Sequence, residues 1–204
     1  MQKTLLATLL ASAGLLVSAA AQADDVSPWL VRVRAVKLNF DNNQSGQLRS
    51  SLPQGVFAQN TTIPEVDVSY FVTPNIAAEL VLSDPQHVDI NLGGSSLGSV
   101  KVLPPTLLLQ YHFNDLGPFK PYVGAGINYS LFTSRSVTPT IQVDSSSYGL
   151  AAQVGFDYML DQHWLLNVDA KYVQMSTKVT AGGVNQGKLN LNPTLIGVGV
   201  GYRF

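Results

Sequence analysis

The sequence predicts an all-β chain: an eight-stranded antiparallel up-and-down transmembrane β-barrel with long outer loops and short periplasmic turns. Three observations carry this reading. Eight segments alternate apolar and polar residues with a period of two, the spacing of a strand with one greasy face. The connections between them alternate long and short, as in barrels with short turns on one side of a membrane. After residue 23 no stretch approaches the roughly 20 apolar residues of a membrane helix, although 46% of the chain is hydrophobic and only 12% charged.

The first segment, Trp29–Phe40, puts Val31, Val33 and Ala35 on one face. Ile63–Val72 does the same with Val66, Val68, Tyr70 and Val72, and Asn75–Leu82 with Ile76, Ala78, Leu80 and Leu82. Val100–Phe113 follows with Leu107, Leu109, Tyr111 and Phe113, then Pro121–Thr133 with Val123, Ala125, Ile127, Tyr129 and Leu131. Ser147–Leu160 carries Leu150, Ala152, Val154, Phe156, Tyr158 and Leu160, and Trp164–Val179 carries Trp164, Leu166, Val168, Ala170 and Tyr172. The last segment, Thr194–Phe204, sets Ile196, Val198, Val200, Tyr202 and Phe204 against Gly197, Gly199, Gly201 and Arg203. One face is greasy with aromatics at its end; the other is nearly bare, as a crowded lumen requires.

Asp41–Thr62, Ser83–Ser99, Ser134–Ser146 and Thr180–Pro193 are the long polar connections. Thr73-Pro74, Asn114–Lys120 and Asp161–His163 are the short ones, with Asn75–Leu82 the shortest strand. Both termini then lie on the periplasmic side, which demands an even strand number. The parity opposite the greasy one carries Arg32, Arg34, Glu65, Asp67, Glu79, Asp157, Asp169, Lys171 and Arg203. These charges cannot face lipid, so they face the lumen. A soluble eight-stranded barrel would instead have to expose its greasy faces to water.

The chain opens Met1-Gln2-Lys3, continues with an apolar run and reaches Ala21-Gln22-Ala23, the pattern of a secretory signal peptide cut near Ala23. The domains expected are thus 1–23, signal peptide, and 24–204, outer-membrane barrel. Removing Lys3 from 12 basic residues leaves 11 against 13 acidic, which gives no bulk-charge case for nucleic acid. With no cysteine, thiol chemistry and Cys-based metal sites are excluded, and the exported fold does without disulfides.

Four stretches carry a family resemblance: Leu103–Tyr111 (LPPTLLLQY), Pro121–Tyr129 (PYVGAGINY), Gln153–Tyr158 (QVGFDY) and Gly199–Phe204 (GVGYRF). Together they resemble the OmpW family of small eight-stranded outer-membrane proteins. The resemblance is close over Leu103–Phe204 and looser over Trp29–Leu82, and Glu65 and Asp67 stand where relatives carry neutral residues. It implies the cell outer membrane as location and uptake of small hydrophobic molecules as function. The terminal Phe204 also resembles the signal read by the barrel-assembly machinery, which would make that machinery a partner through the last strand.

Depth along each strand sorts the inward residues into two zones. Toward the outer loops lie Val36, Leu38, Phe40, Ile63, Val81, Leu108, Phe132, Val173, Met175 and Leu195, an apolar cup. Lower down, the nine charges join Gln110, His112, Asn128 and Asn167 in what reads as a plug. Opposite charges in so narrow a space should pair. The cup is either a site for a small hydrophobic ligand or simply the packing that fills a barrel. Pro104-Pro105 lack N–H donors, so neither face of that strand should complete its ladder there. Either a lateral exit into the bilayer or a plain strand terminus follows.

Catalysis has little support. His87 and Asp89 share an outer loop with Ser95, Ser96 and Ser99, but no nucleophile elbow accompanies them. His112 and His163 have no metal spacing, and Gly124 and Gly126 relieve lumen crowding rather than cradle phosphate. No cofactor and no metal are expected; the partners are outer-membrane lipids and small hydrophobic ligands. A structural or surface-interaction barrel without transport is the alternative.

Overall fold

The computed structural model describes residues 27–204 apart from 42, 46–55, 59, 84, 93–94, 138–140 and 182. The expected leader Met1–Ala23 lies outside the described residues, as do the side chains of His87, Asp89, Ser95, Ser96 and Ser99. In chain order the strands are β1 (Trp29–Asn39), β2 (Asn43–Gln44), β3 (Val56–Ala58), β4 (Thr61–Phe71) and β5 (Ile76–Ser83). Next come β6 (Gln86–Leu92), β7 (Ser95–Leu103), β8 (Thr106–His112), β9 (Phe119–Val137) and β10 (Ile141–Val143). The last five are β11 (Ser146–Met159), β12 (Trp164–Val173), β13 (Ser176–Ala181), β14 (Val184–Asn190) and β15 (Thr194–Arg203).

Eight of them close a ring, in the order β11-β12-β15-β1-β4-β5-β8-β9 and back to β11. All its pairings are antiparallel, and the first and last strands meet from Leu30↔Arg203 to Asn39↔Thr194. Closure removes every free edge within the wall, the condition for strands in lipid. The expected eight-stranded up-and-down barrel is the fold.

Alternation settles which face meets lipid. Leu107 and Leu109 are 51% and 61% exposed while Leu108 between them is 1% exposed. Trp29 packs edge-on to Tyr70, and Tyr202 lies between Trp164 and Phe204, all at the end of the barrel where β1 begins and β15 ends. Amphipathic rings collect at that depth because one end of each is apolar and the other polar.

The structure departs from the sequence reading in three places. Val100–Phe113 is two strands, β7 and β8, parted at Pro104-Pro105, so β8 rather than β5 is the shortest wall strand. Trp164–Val179 likewise breaks at Gln174-Met175 between β12 and β13. The long polar connections are also built of strands: β6 and β7 pair as a hairpin, and β10-β13-β14-β2 form a separate small sheet. Ser- and Thr-rich segments have no greasy face for pattern reading to detect, yet their backbone N–H and C=O groups still need partners.

Candidate functional site

The lumen begins with glycine. Arg34 on β1 faces Gly199 on β15, and Arg32 faces Gly201. A Cβ at Gly199 would sit 2.1 Å from the Val33 carbonyl oxygen and 2.7 Å from Arg34 Cγ. The bare face of the last strand therefore makes room for two arginines to cross the lumen.

Those arginines organise the acids. Arg32 holds Asp157 through Nη2 at 2.6 Å and through Nε at 3.0 Å, and its Nη1 reaches Asp67 at 3.1 Å and Glu79 at 3.0 Å. Arg34 pairs with Glu65 at 3.0 Å, Asp169 at 3.4 Å and Glu79 at 3.7 Å, and also with Asp67. Lys171 Nζ closes the set on Glu65 at 2.6 Å and Asp169 at 3.1 Å. All of these side chains are buried, and each charge meets at least one of opposite sign, three bases among five acids.

Polar neighbours complete the layer. The Tyr122 hydroxyl donates to Asp169, while Gln153 donates to Glu79 and Asp169 and accepts from Gln110. Ser69 accepts from Arg32, Asn167 donates to Asp157, and His112 meets Gln110 at 3.0 Å. Gln110, His112 and Asn167 are in the expected polar set; Ser69, Tyr122 and Gln153 were not foreseen. Parity was the available signal, since each occupies the face opposite its strand's greasy residues.

Arg203 corrects the expected plug. Its guanidinium carbon lies 4.2 Å from the Phe71 ring centroid, and it makes no ion pair among the described residues. Its register partner is Leu30, so it sits below the acids, at the level of an unforeseen apolar floor. Leu30, Phe71, Ala77 and Leu165 form that floor with Met159 against it. The lower lumen is therefore not polar down to its periplasmic end.

Above the charges lies the apolar layer. Val36, Leu38, Ile63, Val81, Leu108, Val173 and Leu195 pack in one cluster, with Phe40 against it and Ala151 as an unforeseen member. Phe132 and Met175 are buried, as expected, but pack outside this cluster. Its buried members are no more than 8% exposed, so the cup is closed by its own side chains.

Among the described residues, strand pairing beside this layer is interrupted on one side only. The β5–β8 ladder ends at Val81↔Thr106, and pairing resumes at Gln86↔Val102. That is five residues along one strand against four along the other, a slip in register. Toward β9 the register runs through unbroken from Leu103↔Leu131 to Thr106↔Asn128. There Tyr129 N–H donates to the Pro105 carbonyl at 3.0 Å. The expectation that neither face of the Pro-Pro strand completes its ladder is thus corrected: a proline carbonyl still accepts, and only the β5 side opens.

Among the described residues no group of three or more His, Cys, Asp and Glu side chains is placed to hold a metal ion. His163 lies in the β11–β12 turn, its Nδ1 2.7 Å from the Arg203 carbonyl oxygen.

Known proteins resemble this chain in sequence or in structure. The uncharacterized outer-membrane protein y4mB of Sinorhizobium fredii is 44% identical over 188 residues, covering 88% of this chain and 81% of the relative. A dibenzothiophene metabolism operon protein, PahQ of Pseudomonas aeruginosa, is 25% identical over 188 residues, covering 87% of this chain and 89% of its own. The crystal structure of the outer membrane protein OprG from Pseudomonas aeruginosa superposes with a TM-score of 0.74 at 28% identity. It covers 88% of this chain and 97% of OprG. Residues 28–204, the whole barrel, match the sequence profile of the OmpW family. The closed ring with its last strand sealed onto the first, and the relatives that share it, place this chain in the outer membrane as a member of the OmpW family.

Proposed function

We propose that this barrel admits small hydrophobic molecules from outside the cell and releases them sideways into the bilayer. The observation that carries the reading is the contact between apolar layer and wall break: Val81, a member of the layer, is also the last β5 residue paired to β8. Beneath it the salt-bridged layer and the apolar floor fill the route straight down. An apolar solute gains nothing by entering a desolvated charge network, whereas an adjacent opening into lipid costs it no hydration. Since the layer is packed, entry displaces side chains such as Leu108 and Val173 rather than filling a standing void. The relative named for a dibenzothiophene metabolism operon fits an apolar solute, as does the function that the family resemblance implies.

Val36, Leu38, Phe40, Ile63, Val81, Leu108, Phe132, Val173, Met175 and Leu195 are then the ligand-facing residues, with Pro104 and Pro105 at the exit. Catalysis plays no part in this reading. The test is a deletion strain compared with the complemented strain for uptake of an apolar probe such as 1-naphthol. Faster initial uptake in the complemented strain is expected. Equal rates would leave a structural or surface-interaction barrel as the better account.

A further inference from the structure

The break in the wall is polar on its lumen side. Pro104, with no β5 N–H to meet, turns its carbonyl to two side chains: Thr106 Oγ1 and Asn128 Nδ2, each donating at 3.2 Å. Asn128 in turn accepts from Ser130 Oγ at 2.6 Å. Thr106, Asn128 and Ser130 are all buried. Four polar groups thus stand where an apolar molecule would have to pass.

Ser83 is the exception in this set. It ends β5, lies on the lumen parity two residues beyond Val81, and falls opposite Pro104 if the lost register is continued. Its Oγ is buried and makes no hydrogen bond among the described residues. Its register partner on β4, Glu65, is already engaged by Lys171 and Arg34. A buried hydroxyl without a partner is unusual in a folded protein and calls for a reason.

We infer that the break selects, among apolar molecules, those with one neutral hydrogen-bonding oxygen: alcohols, ketones, aldehydes or esters rather than bare hydrocarbons. The inference rests on the uptake reading above and names its substrate class. A hydrocarbon passing the break leaves the Ser83 hydroxyl as unpaired as before and strips nearby polar groups of any water. An oxygen accepting from Ser83 Oγ removes that penalty, and sites built around such a bond discriminate against analogues that lack it. The apolar body of the same molecule meanwhile rests on Val81 and Leu108, immediately below. A carboxylate does not fit, since it would bring a net charge to membrane depth beside Glu65.

The experiment is a matched pair of labelled probes, 1-octanol and n-octane, given to deletion cells carrying the wild-type, Ser83→Ala or Ser83→Thr gene. The quantity read is the alcohol-to-alkane ratio of initial uptake rates after subtraction of the deletion background. Wild type should favour octanol. Ser83→Ala should lower the ratio about fivefold, the weight of one neutral hydrogen bond, and Ser83→Thr should restore it. Heat-shifted migration on gels confirms that each variant folds. If both probes enter but Ser83→Ala leaves the ratio unchanged, the selectivity inference falls and the uptake reading stands. If neither probe exceeds the deletion background in any strain, the uptake reading itself falls, and this inference with it.

Discussion

Lys171 Nζ lies 2.6 Å from Glu65 Oε1, joining β12 to β4 across the lumen, with β15 and β1 between them in the wall. Both side chains are buried; Glu65 is shared with Arg34 and Lys171 also meets Asp169, so removing the lysine leaves two buried acids with one cation fewer. Lys171→Ala should destabilise the barrel by about 3 kcal/mol, read from urea-induced unfolding in lipid vesicles. Adding Glu65→Gln should return part of the loss, because it removes one of the buried acids that then outnumber the bases further. A Lys171→Ala barrel as stable as wild type would show that the pair is wet.

Conduction gives a second test. Among the described residues the salt-bridged layer lies between two buried apolar clusters, which a hydrated ion would have to cross. Planar-bilayer recordings of the wild type should show at most a small conductance. A large steady current would mean that the network is not a plug.

Pro104 and Pro105 can be separated. In an antiparallel ladder the N–H and C=O of one residue point to the same side, and Pro105 C=O points to β9. An N–H restored at 105 would only strengthen a seal already present, whereas one at 104 would face β5. Pro104→Ala should therefore slow hydrophobic uptake while thermal stability holds or improves, and Pro105→Ala should change uptake little. Unchanged uptake in a folded Pro104→Ala barrel would reduce the residue to a strand terminator.

The β11–β12 turn offers a prediction in pH. Asp161 Oδ1 accepts the N–H groups of His163 at 2.8 Å and Trp164 at 2.7 Å, and these bonds hold its carboxyl below the usual carboxylate range. A depressed folded value means that the stabilisation is present above the unfolded pKa and is lost as pH falls through the folded one. NMR titration of the Asp161 carboxyl carbon in micelles should show a midpoint below that of an ordinary aspartate. Asp161→Asn should abolish the acid-induced loosening of this turn. An ordinary aspartate titration would contradict the bonding.

How much of this was legible in the sequence follows from what periodicity can carry. Leu107, Leu108 and Leu109 are chemically identical, yet the strand period alone places the middle one inside. The same period names both partners of the Arg34–Asp67 and Lys171–Glu65 pairs as inward, and electrostatics then joins them. It does not say at what height each strand sits in the membrane. Arg203 was therefore counted among the acids, although its register with Leu30 sets it on Phe71. Nor does it show Ser83 to be important: a lone serine at a strand end looks like the start of a loop. What distinguishes it is the register slip beside it, which exists only once β5 and β8 are paired.

The crossing ion pairs bear on how such a barrel comes into being. Arg32 and Arg34 on β1 meet Asp67 and Glu65 on the adjacent β4, but Glu79 on β5, Asp157 on β11 and Asp169 on β12 rely on the same two arginines from other parts of the ring. A half-inserted sheet would present such carboxylates to hydrocarbon without their arginines, at several kcal/mol apiece. Only when β15 docks on β1, its glycines sliding past the arginine stems, does the last of those charges find shelter. Insertion without closure is therefore a dead end, and the final strand acts as the latch that makes the whole passage into the bilayer one indivisible step.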